Sequence, residues 1–371
     1  MGCIGFFNSV MSWGGGEKWH YDAAIYFANK GHKVCFYTRE NSALYKRLCL
    51  NPIITIELIK VNGVSFLNPV KIRQLKKSFN NLGVETLVIN LPNDVKLAAH
   101  AAKLAGIKKI IYRRGSAIPI KNSLLNRFSF KHWLTDILAN SQATKRTILQ
   151  HNPFIIPENK IKVIYNPINI EDFVNQSFTH IYEAKHNEII IGNLGRLEYE
   201  KNQQFLIKLS EKLQDKGIPH KILIGGSGRL ENDLKNEAIK RKVKANILFL
   251  GFITDVKNLL MSCDIFILPS LWEGFGYVLA EASLCKKPII AFNLSSIPEV
   301  VIHNKTGFLI ENNVDQCVEK VILLKEDEAL RKQMGNSGFD YITSTFDKDK
   351  IMQEVENYLS VSQPEALEMK L

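Results

Sequence analysis

The chain has 371 residues, of which 46% are hydrophobic and 23% are charged, and its formal net charge is +11. This length allows two domains of ordinary size, and the composition is typical of a globular protein. The six cysteines show no CxxC spacing, which favours reduced thiols over a disulfide framework and excludes the common zinc motifs. With no apolar run of membrane-spanning length and no signal-peptide pattern at the start, the sequence predicts a cytoplasmic protein.

The basic balance suits an anionic partner, such as a phosphorylated small molecule or a membrane surface. Nucleic acid fits least, because no zinc-finger spacing and no aromatic-rich basic strand is present. The phosphate-binding pattern GxxxxGK[ST] is absent, and no glycine-rich stretch has the dinucleotide spacing GxGxxG. The single DxD, Asp347 and Asp349, precedes an amphipathic stretch and is interpreted as a pair of helix-start acids. We therefore expect no metal and no cofactor.

Short apolar runs rich in Ile and Val alternate with amphipathic stretches along the chain. Such runs occupy 33–38, 85–91, 108–113, 161–166, 188–194, 220–226, 246–252, 264–270 and 288–294. Their nearly continuous apolarity predicts strands buried on both faces, as in parallel sheets. Between them a Gly or Pro ends each amphipathic stretch before polar residues lead into the next run, which is typical of helices followed by strands. The pattern predicts a doubly wound α/β architecture, repeated twice.

A polar segment, 166–188, interrupts this alternation and marks the predicted domain junction. We place one domain at 1–170 and a second at 171–345. Residues 346–371 are predicted to form a helix that packs back across the junction, followed by a tail. Ligands of such proteins bind beyond the carboxyl ends of the strands and in the cleft between two domains.

Glycines follow four of the predicted strands, which places flexible loops at the expected binding edge. Any one of these glycines suits an ordinary turn, but four together favour a shared site for phosphate or sugar. They are Gly14, Gly15 and Gly16, then Gly192 and Gly195, then Gly226 and Gly228, and finally Gly274 and Gly276.

Two glutamates, Glu273 and Glu281, flank the last of these glycine pairs. With 37 acidic residues in the chain, about four pairs would fall eight residues apart by chance, so the spacing alone carries little information. Gly274 and Gly276 disfavour a helix, whereas the residues from Tyr277 onward favour one. We therefore expect Glu273 in a strand-to-helix loop and Glu281 within the helix, with backbone N–H groups between them that can bind an anion or a hydroxyl.

Arg196 and Lys201, in "GRLEYEKN", follow another predicted strand. A guanidinium and an ammonium are the groups that a leaving diphosphate needs, because negative charge develops on it during transfer. The alternative is that both are solvated surface cations, like most of the 48 Lys and Arg residues.

Taken together and in order, these motifs resemble the family 4 glycosyltransferases of the group 1 type, which are retaining enzymes of the GT-B fold. The likeness is strongest over 188–310, where "GRLEYEKN", "GSGRLENDL", the E-x7-E motif "EGFGYVLAE" and "IPEVVIHNKTGFLI" follow one another. In the first half, "GGGEKWHYDAAIYFANKGHKV" resembles the glycine loop and first helix of the family. The resemblance implies two Rossmann-like domains that face each other across a cleft, the first binding the acceptor and the second the nucleotide sugar.

The resemblance also implies roles for individual residues. Arg196 and Lys201 would hold the donor diphosphate, Glu281 the ribose hydroxyls, and Glu273 would face the transferred sugar. The glycine loop of the first domain would close over the phosphates, and the backbone of Ile253 would hold the base. The residues implied in donor binding besides Glu281 are Gly14, Gly15, Gly16, Gly226, Ile253, Gly274, Phe275, Gly276 and Tyr277.

One departure from the family concerns the reaction centre. Where the family often has His-Gly, this chain has Arg114 and Gly115. Arginine stays protonated and cannot act as a base, so a role of that histidine in proton transfer does not carry over. Arg113 and Arg114 are instead candidates for binding a phosphorylated or acidic acceptor.

The sequence therefore predicts a retaining, metal-independent glycosyltransferase that uses a nucleotide sugar, with UDP as the expected nucleotide. The expected acceptor is a saccharide or a lipid-linked saccharide in lipopolysaccharide or capsule assembly. Two basic and apolar stretches, 70–79 and 121–138, are either solvated helices or surfaces that bind an anionic bilayer. The alternatives are a sugar-nucleotide epimerase or a phosphorylase of the same fold, and a non-enzymatic basic module that binds membranes.

Overall fold

The computed structural model describes residues 2–360 and divides into two units. The N-terminal unit contains Met1–Pro167 and Asp349–Leu371, and the C-terminal unit contains Ile168–Lys348. The predicted tail, from residue 361 onward, lies outside the described residues. Within the described range, no helix combines the length and the apolarity that crossing a membrane requires.

The N-terminal unit contains a seven-stranded sheet whose strands are all parallel, in the order β3-β2-β1-β4-β5-β6-β7. Its strands are β1 (Cys3–Asn8), β2 (Val34–Thr38), β3 (Thr55–Leu58), β4 (Val84–Ile89), β5 (Lys109–Arg114), β6 (Asp136–Ala139) and β7 (Ile161–Val163). Its helices before the junction are α1 (Gly15–Asn29), α2 (Ala43–Leu48), α3 (Pro69–Leu82), α4 (Pro92–Asp94), which continues through a π-helical turn (Val95–Ala99) into α5 (His100–Leu104), α6 (Leu124–His132) and α7 (Gln142–Leu149).

The basic stretch 70–79 forms most of α3, and local chemistry defines both ends of this helix. The Asn68 side chain accepts hydrogen bonds from the backbone N–H groups of the first turn, and Pro69 occupies the first helical position. Gly83 ends the helix in the left-handed conformation, at φ 67°. The second basic stretch, 121–138, is not helical throughout: α6 ends at His132, and the apolar residues from 136 onward begin strand β6.

The C-terminal unit contains a six-stranded parallel sheet in the order β10-β9-β8-β11-β12-β13. Its strands are β8 (Ile189–Leu194), β9 (His220–Gly225), β10 (Ile247–Gly251), β11 (Ile265–Leu268), β12 (Ile289–Phe292) and β13 (Gly307–Ile310). Its helices are α8 (Ile170–Asn175), α9 (Gln204–Asp215), α10 (Glu231–Lys240), α11 (Val256–Met261), α12 (Tyr277–Leu284), α13 (Val314–Glu326) and α14 (Glu328–Thr345).

The last described helix, α15 (Lys348–Leu359), packs in the N-terminal unit. Its apolar residues Ile351, Met352 and Val355 join the core that α1 forms against one face of the sheet. The helix that the sequence predicts here is therefore present. Asp349 lies in its first turn, as expected for a helix-start acid.

In both sheets the second and third strands are added on one side of the first strand, and the later strands are then added on its other side. The reversal falls between β1 and β4 in the first unit and between β8 and β11 in the second. At such a point the loops that follow the two neighbouring strands diverge to opposite faces of the sheet and leave a crevice between them. Each unit therefore has its own topological switch point, where a ligand site is expected. Two doubly wound parallel sheets are confirmed.

Candidate functional site

The switch point of the C-terminal unit brings together a lysine and a glutamate that are 72 residues apart in sequence. Lys201 follows β8, Glu273 follows β11, and the Nζ–Oε1 distance is 2.5 Å. Their side chains are 16% and 10% exposed, so the ion pair is largely shielded from water. Glu273 lies in the strand-to-helix loop, as the sequence predicts.

Hydrogen bonds hold the two loops in fixed positions. The backbone N–H of Leu271 donates to the Glu200 carbonyl at 2.8 Å, which joins the loops directly. The carbonyl of Glu273 accepts from the hydroxyls of Ser295 and Ser296, at 2.7 and 3.0 Å. These contacts hold the backbone of Glu273, and its carboxylate is held by Lys201.

Arg196 lies in the same loop as Lys201 but is exposed. Its side chain is 72% exposed, and Nη2 donates to Glu200 Oε1 at 2.6 Å. An exposed ion pair of this kind contributes at most about 1 kcal/mol, so an incoming anion can compete for the guanidinium. The loop therefore presents one shielded and one accessible cation. Within residues 2–360, no group of three or more His, Cys, Asp and Glu side chains is placed to hold a metal ion.

Gly226 lies where the loop after β9 touches the loop after β8. Its φ is +130°, and a Cβ atom built there would lie 1.9 Å from the Gly195 carbonyl oxygen. Its N–H donates to the Gly251 carbonyl at 2.7 Å, at the end of β10. Ile253 lies at the same edge, because a Cβ atom on the neighbouring Gly225 would be 2.9 Å from its Cγ1. Only glycine fits this close approach of backbones.

The segment after β11 leads into α12 through Gly276, whose φ is 83°. The ring of Phe275 is buried and contacts the rings of Tyr277 and Phe346, at centroid distances of 5.4 and 5.2 Å. Phe275 therefore belongs to the core through its side chain, and its backbone and that of Gly274 are what can face a ligand. Glu281 lies in α12, as predicted, and is half-buried.

The predicted glycine loop of the first half differs from its expected form. Gly14 is the residue before α1, but Gly15 and Gly16 already lie in the first turn of the helix. The connection after β1 is formed instead by residues 9–14. Glu17, also in the first turn, is buried and accepts from Asn8 Nδ2 at 3.3 Å and from Asn90 Nδ2 at 3.0 Å. The role of the three glycines toward a donor stays a prediction.

Arg113 and Arg114 are the last two residues of β5 and are both buried, but their side chains contact different residues of the N-terminal unit. Arg113 lies over the Trp19 ring, 4.8 Å from its centroid, and donates to Asn166 Oδ1 at 2.6 Å. Arg114 donates to Tyr112 Oη at 2.9 Å and to the Ile118 carbonyl. Successive residues on a strand point to opposite faces, so the two guanidinium groups have different hydrogen-bond partners.

Two buried titratable groups lie near this edge of the N-terminal unit. Burial raises the pKa of Asp94 to about 6, although the backbone N–H and hydroxyl of Ser9 both donate to its carboxyl group. Burial, assisted by the charge of Arg113, lowers the pKa of His20 well below its ordinary value. His20 is therefore neutral at pH 7.

Several residues at these edges were not singled out from the sequence. In the C-terminal unit, Tyr199 is 70% exposed, and its ring lies 6.2 Å from that of Trp272, beside the Lys201–Glu273 pair. In the N-terminal unit, Glu17 and Asn90 meet after β1 and β4. The position of the polar Asn90 near the end of the apolar run 85–91 was the available signal, since the ends of parallel strands meet at one edge.

Comparison with known proteins places both halves of the chain in one class, two-domain sugar-transferring enzymes. Residues 175–340 match the family model described as glycosyl transferases group 1, and residues 13–172 match that described as glycosyltransferase family 4. The chain belongs to this family of group 1, family 4 glycosyltransferases.

Two curated relatives and one solved structure are similar to the chain. The capsular polysaccharide biosynthesis glycosyltransferase CapM of Staphylococcus aureus is 28% identical over 60% of each chain. The UDP-Gal:alpha-D-GlcNAc-diphosphoundecaprenol alpha-1,3-galactosyltransferase of Escherichia coli is 30% identical over 62% of this chain and 63% of its own. The match thus spans about three fifths of these two relatives' length.

The solved structure is that of Anabaena HepE in complex with UDP and glucose. It is 20% identical, covers 97% of this chain and 100% of its own, and superposes with a TM-score of 0.80. At this identity the likeness shows the fold alone, and it confirms the GT-B fold.

Proposed function

We propose that this protein is a retaining glycosyltransferase that moves a sugar from a UDP-sugar to a saccharide or a lipid-linked saccharide. The observation that carries this proposal is the Lys201–Glu273 pair beside the accessible guanidinium of Arg196, at the switch point of the C-terminal unit. A UDP-sugar needs cations for its leaving diphosphate and a carboxylate for its sugar hydroxyls, and this edge holds both.

The donor would be bound by groups that follow three strands, β8, β10 and β11. Lys201 and Arg196 would contact the diphosphate, and the N–H groups of the Gly274–Gly276 segment would add hydrogen bonds at the start of α12. Glu281 would bind the ribose and the Ile253 backbone the base. UDP is the expected nucleotide because the E. coli relative is named for UDP-Gal and the HepE structure contains UDP.

Cationic side chains supply the charge stabilisation in this proposal, so transfer would proceed without a metal ion. Lys201 and Arg196 would stabilise the negative charge that develops on the diphosphate as it leaves. Glu273, held by the hydroxyls of Ser295 and Ser296, would support the transferred sugar electrostatically rather than form a covalent bond to it. An arginine side chain cannot act as a base in proteins, so no general base is assigned at position 114.

UDP in the presence of EDTA is expected to raise the melting temperature of the full-length protein by several degrees. At about 100 times its dissociation constant, a ligand that binds only the folded state adds roughly 2.7 kcal/mol of stability. Differential scanning fluorimetry with UDP, GDP and ADP measures this effect. Uridine is the matched control, because it lacks the diphosphate that Lys201 and Arg196 would bind, and it should give a smaller shift.

Three results would count against this function. A shift with NAD(P) alone, or a UDP effect that EDTA abolishes, would contradict the donor site or its metal independence. Conversion of a UDP-sugar into another UDP-sugar without any acceptor would identify an epimerase instead.

The acceptor would be delivered at an anionic membrane surface, since α6 and the neighbouring loop expose both apolar and basic side chains. Leu124 and Phe154 are 81% and 92% exposed. Asn122 joins the two segments by hydrogen bonds to the His151 carbonyl and to Asn152. Lys121, Arg127 and Lys131 are exposed on and beside the same helix. Each basic residue near such a surface contributes about 1 kcal/mol.

Replacing Leu124 and Phe154 together by serine is expected to reduce binding to anionic vesicles about tenfold or more. Each apolar side chain that enters the interface contributes about 1.5–3 kcal/mol. Co-sedimentation with phosphatidylglycerol vesicles at low salt measures the bound fraction. The control is Leu104→Ser/Leu50→Ser, which removes two leucines that are 50% and 80% exposed elsewhere in this unit. Equal binding by both double variants would refute this surface.

A further inference from the structure

The N-terminal unit contains a cavity of about 630 Å³ at its own switch point. The cavity is lined from the ends of three neighbouring strands: Gly16 and Glu17 follow β1, 90–93 follow β4, and 112–116 and 118–121 come from the end of β5 and the loop beyond it. α6 closes one side with Asn126, Ser129 and Phe130. Its size lies within the range of small-molecule sites, about 300–1,000 Å³.

The charged residues that line this cavity are mostly cations. Lys96, Arg113, Arg114 and Lys121 contribute positive charge, and Glu17 is the acid among the lining residues. The Glu17 carboxylate already accepts hydrogen bonds from two asparagine side chains. The ammonium of Lys96 lies 5.5 Å from the centroid of the Phe66 ring and is half-buried. The lining thus attracts an anion.

Arg114 provides a second, independent sign of an anionic ligand. It is 7% exposed and forms no ion pair with any residue in the range 2–360. Its buried Nε has no hydrogen-bond partner among these residues, although Nη1 and Nη2 each have one. A buried guanidinium without a counter-charge is costly, and a doubly charged oxyanion in the cavity would offset that cost.

We propose that this cavity binds the phosphate or diphosphate group of the acceptor. The proposal rests on the proposed function, because it assigns the substrate class of the same reaction. The cations would hold the charged group, while Val95, Ile118 and Ile120 provide apolar walls for a carbon chain attached to it. An acceptor whose sugar is linked through a diphosphate to a lipid fits both features, and a soluble sugar phosphate fits the first.

The test measures the binding of inorganic diphosphate and of geranyl diphosphate by calorimetry to the full-length protein. Both titrations use the background Arg196→Ala/Lys201→Ala, so that the C-terminal cations do not contribute. In that background we expect Arg114→Gln to weaken diphosphate binding about tenfold or more, as for the loss of a hydrogen bond to a charged group. Arg73→Gln is the matched control: it removes an arginine that is exposed on α3, outside the cavity, and it should leave affinity unchanged.

A second pair of variants keeps the test decisive if Arg114→Gln fails to fold. Lys96→Gln should also weaken binding, whereas Lys103→Gln, an exposed lysine on α5, should not. Tighter binding of geranyl diphosphate than of diphosphate would identify a lipid-linked acceptor, and equal binding would identify recognition of the phosphate group alone. Unchanged affinity in both cavity variants, or no diphosphate binding in the background, would overturn the inference. UDP binding to the otherwise unaltered protein is measured separately, so that failure of the donor site is recognised.

Discussion

Lys201→Ala is expected to lower kcat/KM by about 100- to 1,000-fold, the effect of removing one positioned donor that stabilises a developing negative charge. The side chain is largely buried, so its charge acts in a medium of lower dielectric than water. The assay follows release of UDP from a UDP-sugar with an accepted saccharide. Lys208→Ala is the matched control, because Lys208 is exposed on α9 in the same unit. The activity of this variant should equal that of the unaltered protein.

The same substitution leaves the buried carboxylate of Glu273 without its cation, so a structural cause must be separated from a chemical one. Lys201→Ala/Glu273→Gln removes the charge as well, and we expect it to recover thermal stability while activity stays low. If activity recovered together with stability, the role of Lys201 would be to stabilise the loop that carries it, and not to stabilise charge on the diphosphate. A change of less than about threefold in Lys201→Ala alone would remove Lys201 from the charge-stabilising role.

Most of the fold could be predicted because buried parallel strands have a distinctive pattern. Each of the nine apolar runs contains most or all of one strand, from β2 to β12. The strands outside these runs are β1, which has six residues and was implied by the glycine loop after it, and β3, β6 and β13, which have four residues each. β3 lies at the edge of its sheet and is partly exposed, so its apolar residues are not continuous. β6 lay within a basic stretch that the charge pattern assigned to a helix.

The candidate donor site at the switch point of the C-terminal unit could be predicted in part. The ends of strands can be predicted from the sequence, but the order of the strands in the sheet cannot. Arg196, Lys201 and Glu273 were each placed after a strand. Their proximity depends on β8 and β11 being adjacent, although β9 and β10 lie between them in the chain. Only the sheet order brings the ammonium of Lys201 to the carboxylate of Glu273.

The two arginines at the end of β5 are, by contrast, adjacent in sequence but differ in their contacts. As neighbours in sequence, Arg113 and Arg114 suggested one acceptor-binding pair. Both line the cavity of the N-terminal unit, but strand alternation gives them different partners: Arg113 lies against Trp19, while Arg114 donates to Tyr112, two residues before it. Lys96 and Glu17 join the cavity from other strand ends, and no spacing in the sequence connects them.

Gly226→Ala is expected to destabilise the protein by roughly 3 kcal/mol, from backbone strain and overpacking together. The added methyl group would lie 1.9 Å from the Gly195 carbonyl oxygen, so the loops after β8 and β9 would have to separate. Because the first of these loops carries Arg196 and Lys201, UDP affinity should fall as well. Calorimetric unfolding of the full-length protein, with and without UDP, measures both effects.

Gly217→Ala separates the two causes of this loss. Gly217 also has a positive φ, of +66°, but nothing lies within 4 Å of its added Cβ. It should therefore cost only about 1 kcal/mol, from the backbone conformation alone, and leave UDP affinity unchanged. If Gly226→Ala were no more destabilising than Gly217→Ala, the contact between the β8 and β9 loops would not be tight in solution. If it were destabilising but bound UDP normally, Gly226 would belong to the fold of this edge and not to the donor site.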